Sequence, residues 1–145
     1  MDVDGYDYPM DLHYSKDHVW VRTEGECVRI EFTDFAQDIA GGLHYVRVFP
    51  AGKRIETGRA QGTVGTGKWV GPVVAPVSGT VVEPNERLAC EPGLVNSDPF
   101  GDGWFAIVAP DNLDDGLRGL VRGDEPSFEG WMKERMNATR GEAHT

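Results

Sequence analysis

Runs in which apolar and polar residues alternate recur along most of this chain, and they are short. Residues 19–22 and 28–32 read as two strands separated by a turn at Glu24-Gly25-Glu26. Residues 33–40 then read as a short helix, with Thr33 able to cap it and Gly41-Gly42 ending it. The run 45–49 alternates aromatic or β-branched residues with polar ones, the pattern of a half-buried strand. Further strands are predicted at 80–83 and 104–108, after a turn at Ser78-Gly79 and a loop-rich stretch over 91–103. Short helices are expected at 113–121 and 127–136, and the chain is expected to fray after Asn137. Residues 1–13 are acidic and aromatic without a period, and read as an arm on the surface or partly disordered. Many short strands at turn-marked spacing predict a mostly β fold, a sandwich or flattened barrel with short helices at its ends.

Composition agrees with that picture. Nineteen glycines and nine prolines in 145 residues favour tight turns over long helices. The chain carries 14 Lys and Arg against 24 Asp and Glu, a formal charge of −10. Such an acidic chain is repelled by phosphate backbones, so a nucleic-acid partner is not expected. No stretch approaches a membrane span, and the start Met1-Asp2-Val3-Asp4-Gly5 lacks the features of a signal peptide, so a cytoplasmic protein is expected. Cys27 and Cys90 have neither metal-ligand spacing nor the density of a disulfide scaffold, and read as small buried residues or free thiols.

One residue stands apart. Between 60 and 82 the chain is built of Gly, Thr, Val, Pro and Ala, and Lys68 is its only ionisable side chain. Strand-like runs at 61–66 and 72–77 flank it, placing Lys68 at or beside the tip of a β-hairpin. The stretch Gly62 to Lys68 satisfies G-x-x-x-x-G-K, but the next residue is Trp69 where a phosphate loop needs Ser or Thr. Gly71-Pro72 would also fall inside the first turn of the helix such a loop must open. A solvated turn lysine and a lysine presented for modification remain. No cluster of nucleophile, base and orienting group is visible, so the chain reads as something other than an enzyme.

Four blocks decide between the two. Tyr14-Ser15-Lys16-Asp17-His18-Val19-Trp20 resembles the Y-[ST]-K-[ED]-H-E-W motif of glycine-cleavage H proteins, and Thr33-Asp34-Phe35-Ala36-Gln37 resembles their T-D-[YF]-A-Q. Ala75-Pro76-Val77-Ser78-Gly79, with Val82-Glu83-Pro84-Asn85-Glu86, is similar to A-P-V-S-G…V-x-x-N-E. Leu94-Val95-Asn96-Ser97-Asp98-Pro99-Phe100-Gly101-Asp102-Gly103-Trp104 follows L-[VI]-N-x-[DS]-P-[YF]-G-x-G-W. The resemblance implies a barrel-sandwich hybrid over 14–121, after an N-terminal arm at 1–13 and before a C-terminal helix and tail at 122–145. It implies a carrier whose lipoate is joined as an amide to Lys68. The implied partners are a lipoylating enzyme and an oxidoreductase or transferase that meets the arm. His18 and His44 are given no catalytic role.

Around the lysine the chain departs from the family. The usual V-E-S-V-K-A is here Val64-Gly65-Thr66-Gly67-Lys68-Trp69, so Gly65 replaces a glutamate associated with lipoylating enzymes, while Gly52 keeps a family glycine. A ligase that reads the glutamate would lose a charge-assisted contact worth about 1.5–3 kcal/mol. The run Gly67-Lys68-Trp69-Val70-Gly71-Pro72 resembles divergent H-like lipoate-binding proteins that accompany a heterodisulfide-reductase-like complex in sulfur oxidisers. That resemblance implies an arm carrying sulfur intermediates. The alternatives are an H protein carrying an aminomethyl group and an unlipoylated H-like interaction scaffold.

Overall fold

The computed structural model describes residues 1–143. Its strands are β1 (Asp2–Val3), β2 (Tyr6–Asp7), β3 (His13–Tyr14), β4 (Val19–Glu24), β5 (Cys27–Phe32), β6 (Tyr45–Val48), β7 (Arg54–Ile55), β8 (Ala60–Gly65), β9 (Val70–Val74), β10 (Gly79–Pro84), β11 (Ala106–Pro110) and β12 (Val121–Arg122). The helices are α1 (Asp34–Ala40), α2 (Arg87–Cys90), α3 (Leu94–Ser97), α4 (Leu113–Arg118) and α5 (Phe128–Ala143). A seven-stranded sheet in the order β12-β3-β4-β5-β11-β10-β7 faces a three-stranded sheet, β6-β8-β9. The sheets do not close, which gives the flattened barrel-sandwich, mostly β, that the strand pattern predicts.

Strand alternation builds the main core. Val19 and Val21 of β4, with Val28, Ile30 and Phe32 of β5, turn inward to meet Val46, Val64 and Val73 of the smaller sheet. All are buried, because both sheets contribute one apolar face to the same slab. Gly79 permits a close approach at the seam: a Cβ there would fall on the carbonyl oxygen of Ala109 across β10 and β11. Helix α1 begins and ends as its sequence predicts. The Thr33 hydroxyl accepts from the Ala36 N–H at 3.2 Å. Gly41, at φ +83°, closes the helix by donating to the Gln37 carbonyl at 3.0 Å.

A second core lies on the outer face of β3 and β4 and corrects two sequence-based expectations. Residues 1–13 are not a surface arm. Val3, Tyr8 and Leu12 are buried with Tyr14, Trp20, Phe35, Phe128, Met132 and Met136. The segment is held by a β1–β2 hairpin turning at Asp4-Gly5, both at positive φ. Aromatic residues too irregularly spaced to mark a strand or helix are buried here by a partner far along the chain. That partner is α5, which places Phe128, Met132 and Met136 four residues apart on one stripe, each at 0% exposure.

The second correction is the length of α5. The chain does not fray after Asn137: the helix continues to Ala143, because its last turns also find partners. Thr139 Oγ1 lies 2.7 Å from His18 Nε2, and the Arg140 guanidinium sits 5.3 Å from the centre of the Phe35 ring. Residues 144–145, the end of the expected tail, lie outside the described residues. The helix expected at 113–121 stops at Arg118, and Val121 and Arg122 pair with β3 instead.

Candidate functional site: a lysine at the tip of a hairpin

Strands β8 and β9 pair antiparallel, with Gly65 opposite Val70, Val64 opposite Gly71 and Thr63 opposite Pro72. Pro72 is tolerated because β9 is an edge strand, needing no outward ladder donor. Lys68 occupies the turn between them. The Thr66 N–H donates to the Trp69 carbonyl at 2.9 Å, and the Lys68 N–H donates to Thr66 Oγ1 at 3.1 Å. Short bonds within four residues therefore fix the backbone, while the lysine side chain stays exposed. Among the described residues its ammonium makes no ion pair. Val70 opens a strand rather than a helix, so the turn offers no bundle of helical N–H donors to a phosphate.

The surroundings of Lys68 are apolar. Trp69 folds back over Gly71, where a Cβ would come within 2.8 Å of Cζ3 of the indole. Tyr45, Trp69 and Val70 are 46%, 41% and 68% exposed. His44, also exposed, is tied to the hairpin by its N–H, which donates to the Gly65 carbonyl at 3.0 Å. Sequence reasoning missed Tyr45 and Val70. Tyr45 shares its strand parity with Arg47, and Val70 with Pro72; that parity already places both on the solvent face.

The other motif residues do structural work. Asn96 accepts from the Leu43 N–H at 3.0 Å and donates to the Gly41 carbonyl at 2.7 Å, joining the end of α1 to the segment that leads into β6. Asn85 donates to the carbonyls of Asp102 and Trp104 at 2.9 and 2.8 Å. The Trp20 indole N–H donates to the Pro99 carbonyl at 2.7 Å, linking the first block to the last. His18 is buried against Phe35 at 4.8 Å between ring centres, and burial lowers its pKa to about 4. It is a neutral packing residue. Cys27 and Cys90 are both free thiols, Cys90 exposed and Cys27 partly covered.

Glu31 is a feature the sequence did not flag. It reads as the polar position of a strand, yet it lies opposite Trp20 and is fully buried beneath the second core. Its Oε1 accepts from the Phe32 N–H, and Oε2 has no partner among the described residues. Desolvation holds this carboxyl well above the ordinary glutamate range.

The two-sheet scaffold thus presents one exposed lysine on a hairpin turn. The family profile described as glycine cleavage H-protein matches residues 12–134. Glycine cleavage system H protein 2 of Aquifex aeolicus is 41% identical over 119 residues, covering 81% of this chain and 74% of that one. Glycine cleavage system H protein of Acinetobacter baumannii is 43% identical over 108 residues, covering 74% and 87%. The crystal structure of a glycine cleavage system H protein from Mycobacterium marinum superposes with a TM-score of 0.73 at 29% identity, covering 85% of this chain and 98% of that one. The chain belongs to the glycine cleavage H-protein family, a family of lipoyl carriers. Among the described residues no helix is long and apolar enough to cross a membrane.

Proposed function

We propose that this protein carries lipoate as an amide on Lys68 and passes a glycine-derived aminomethyl group between the enzymes of a glycine cleavage system. The observation that carries the first half is the lysine's setting. Acylation removes the ammonium charge, and here that strands no counter-charge, because Lys68 is exposed and has no ion-pair partner among the described residues. The second half rests on the names of the relatives, which are H proteins in each case described.

When bound, lipoate supplies a reducible disulfide ring at the end of a long flexible chain. The protein's part is mechanical. Thr66 and Trp69 hold the turn, the paired strands behind it keep it rigid, and Lys68 alone projects as the point of attachment. No acid, base or nucleophile of this chain is assigned to chemistry, so turnover belongs to the partners that the arm visits.

A second reading, transport of sulfur intermediates in a heterodisulfide-reductase-like system, is favoured by one observation. The run Gly67-Lys68-Trp69-Val70-Gly71-Pro72 resembles the lysine turn of the divergent H-like lipoate-binding proteins. The comparisons lend that reading no support. The two cargoes separate in one assay: loaded protein combined with the other components of a glycine cleavage system, followed by glycine-dependent exchange of labelled carbon dioxide. Exchange that disappears in Lys68→Arg supports the aminomethyl reading. Loaded protein that supports no exchange contradicts it and leaves the sulfur reading as the better account.

A further inference from the structure

Three of the four tryptophans are engaged by the fold. The Trp20 indole donates to the Pro99 carbonyl and stacks on Phe100. The Arg29 guanidinium lies over Trp104, and Trp131 meets the ring of Phe128. Trp69 differs: among the described residues its indole meets no other ring and no cation. What holds it is the missing side chain of Gly71. A Cβ there would come within 2.8 Å of Cζ3, 3.3 Å of Cε3 and 3.9 Å of Cη2. The edge of the six-membered ring is thus seated where a side chain at 71 would stand, and the rest of the indole remains partly in solvent.

Register places this indole. Tyr45, Gly65 and Val70 are partners across the three strands, and their row is on the outer face, where Tyr45 and Val70 are exposed. Gly71 pairs with Val64 and alternates to the same side as Val73, and both valines are buried. Trp69 therefore takes the core-facing side of the hairpin, at the end where the core runs out and the turn of Lys68 begins. A large apolar surface committed to nothing in the fold stands one residue from the point of attachment.

Resting on the lipoyl-carrier reading above, we infer that the exposed surface of Trp69 is the seat of the oxidised arm, and that it favours the closed disulfide ring over the open dithiol. Tethering selects this occupant over a partner protein. The Lys68 N–H is fixed to Thr66 Oγ1, so the arm has a rigid root beside the indole. An arm bent back on itself meets Trp69 at an effective concentration on the order of millimolar. The closed ring offers two adjoining, polarizable sulfurs, which make favourable contacts with an aromatic ring. In reduction a dithiol gives up two electrons and two protons and closes to its own disulfide. The S–S bond of the arm breaks and leaves two thiols. Opening frees rotation along the chain and gives water two S–H donors, so the reduced arm is held less tightly. Trp69 then makes the disulfide harder to reduce, and Gly71 acts as the positioning residue that seats the indole.

The test takes the full chain from its native host, selects the lipoylated form by intact mass, and records melting curves for every variant. The emission of Trp69 is its difference from Trp69→Phe, measured in the lipoylated protein and in the bare Lys68→Arg background. A disulfide in contact quenches an indole, so this emission falls about twofold in the oxidised lipoylated form and recovers when dithiothreitol reduces the arm. At equilibrium with dithiothreitol, the arm of Trp69→Ala has a reduction potential about 14 mV above wild type, a roughly threefold change in the equilibrium constant. Trp131→Phe, which alters a tryptophan already engaged by Phe128, keeps the wild-type potential. The inference is overturned if lipoylation leaves the emission of Trp69 unchanged, or if folded Trp69→Ala has a potential equal to or below that of wild type. Emission that changes only when a partner enzyme is added overturns it too, and assigns the indole to docking. Wild type without a lipoyl group removes the carrier reading itself, which intact mass registers before either readout.

Discussion

The underside of α5 and the outer face of the lysine sheet are both rich in aromatic and large apolar side chains, and they treat them in opposite ways. Under α5, Tyr8, Tyr14, Trp20 and Phe128 are at 0% exposure, and edge-on ring contacts at 5.4 and 5.5 Å join Tyr8 to Tyr14 and Phe128. Around Lys68, Tyr45 and Trp69 keep more than 40% of their surface in solvent. The buried region also tolerates costs: among the described residues, Glu31 Oε2 and His18 Nδ1 have no hydrogen-bond partner. At the tip, polar groups are few and the backbone is closed by local bonds. The difference separates a region that holds the fold together from one that leaves its large apolar side chains in solvent.

Substitutions sharpen the comparison. Truncating Phe128 to Ala removes a fully buried ring from the second core, and is expected to destabilise the protein by about 3–5 kcal/mol. Denaturant melts measure this loss, and the folded fraction should still be modified at Lys68.

Glu31→Gln is the next largest. The folded carboxyl titrates above its unfolded value, so its share of stability is complete at low pH and is lost as pH rises toward the folded pKa. The glutamine variant escapes that loss and is expected to be more stable than wild type at pH 8 by about 1–3 kcal/mol, with the gap closing below the ordinary glutamate range. His18 acts in the opposite sense. Its folded pKa of about 4 is depressed, so its share of stability is present above the ordinary histidine range and is lost as pH falls toward 4. Melting curves of wild type, Glu31→Gln and His18→Gln across pH 4–8 separate the two effects.

The smallest effect is expected from Gly71→Ala. The added methyl displaces the indole of Trp69 from its seat, altering near-ultraviolet circular dichroism while changing stability by under about 1 kcal/mol.

Much of this arrangement is legible in the residues, and the gaps have physical reasons. Strands β4, β5, β8 and β9, the cap at Thr33 and the stop at Gly41 all follow from local chemistry, which is why alternation and capping place them. Lys68 stands out because its neighbours carry no charge. The burial of residues 1–13 and the last turns of α5 depend on each other across the whole chain, and neither segment announces its partner. Glu31 sits at a polar position of a strand, but alternation tells which face a residue takes, not what covers that face. The Tyr45–Gly65–Val70 row escapes a linear reading because it crosses three strands and is assembled only by their register.

The most direct test of the central claim is intact mass with fragment mapping on the protein isolated from its native host. The account predicts a single lipoyl group, located on Lys68 and absent from Lys68→Arg. A bare Lys68 in the presence of the host's lipoylating enzymes, or a lipoyl group on another lysine, would contradict it.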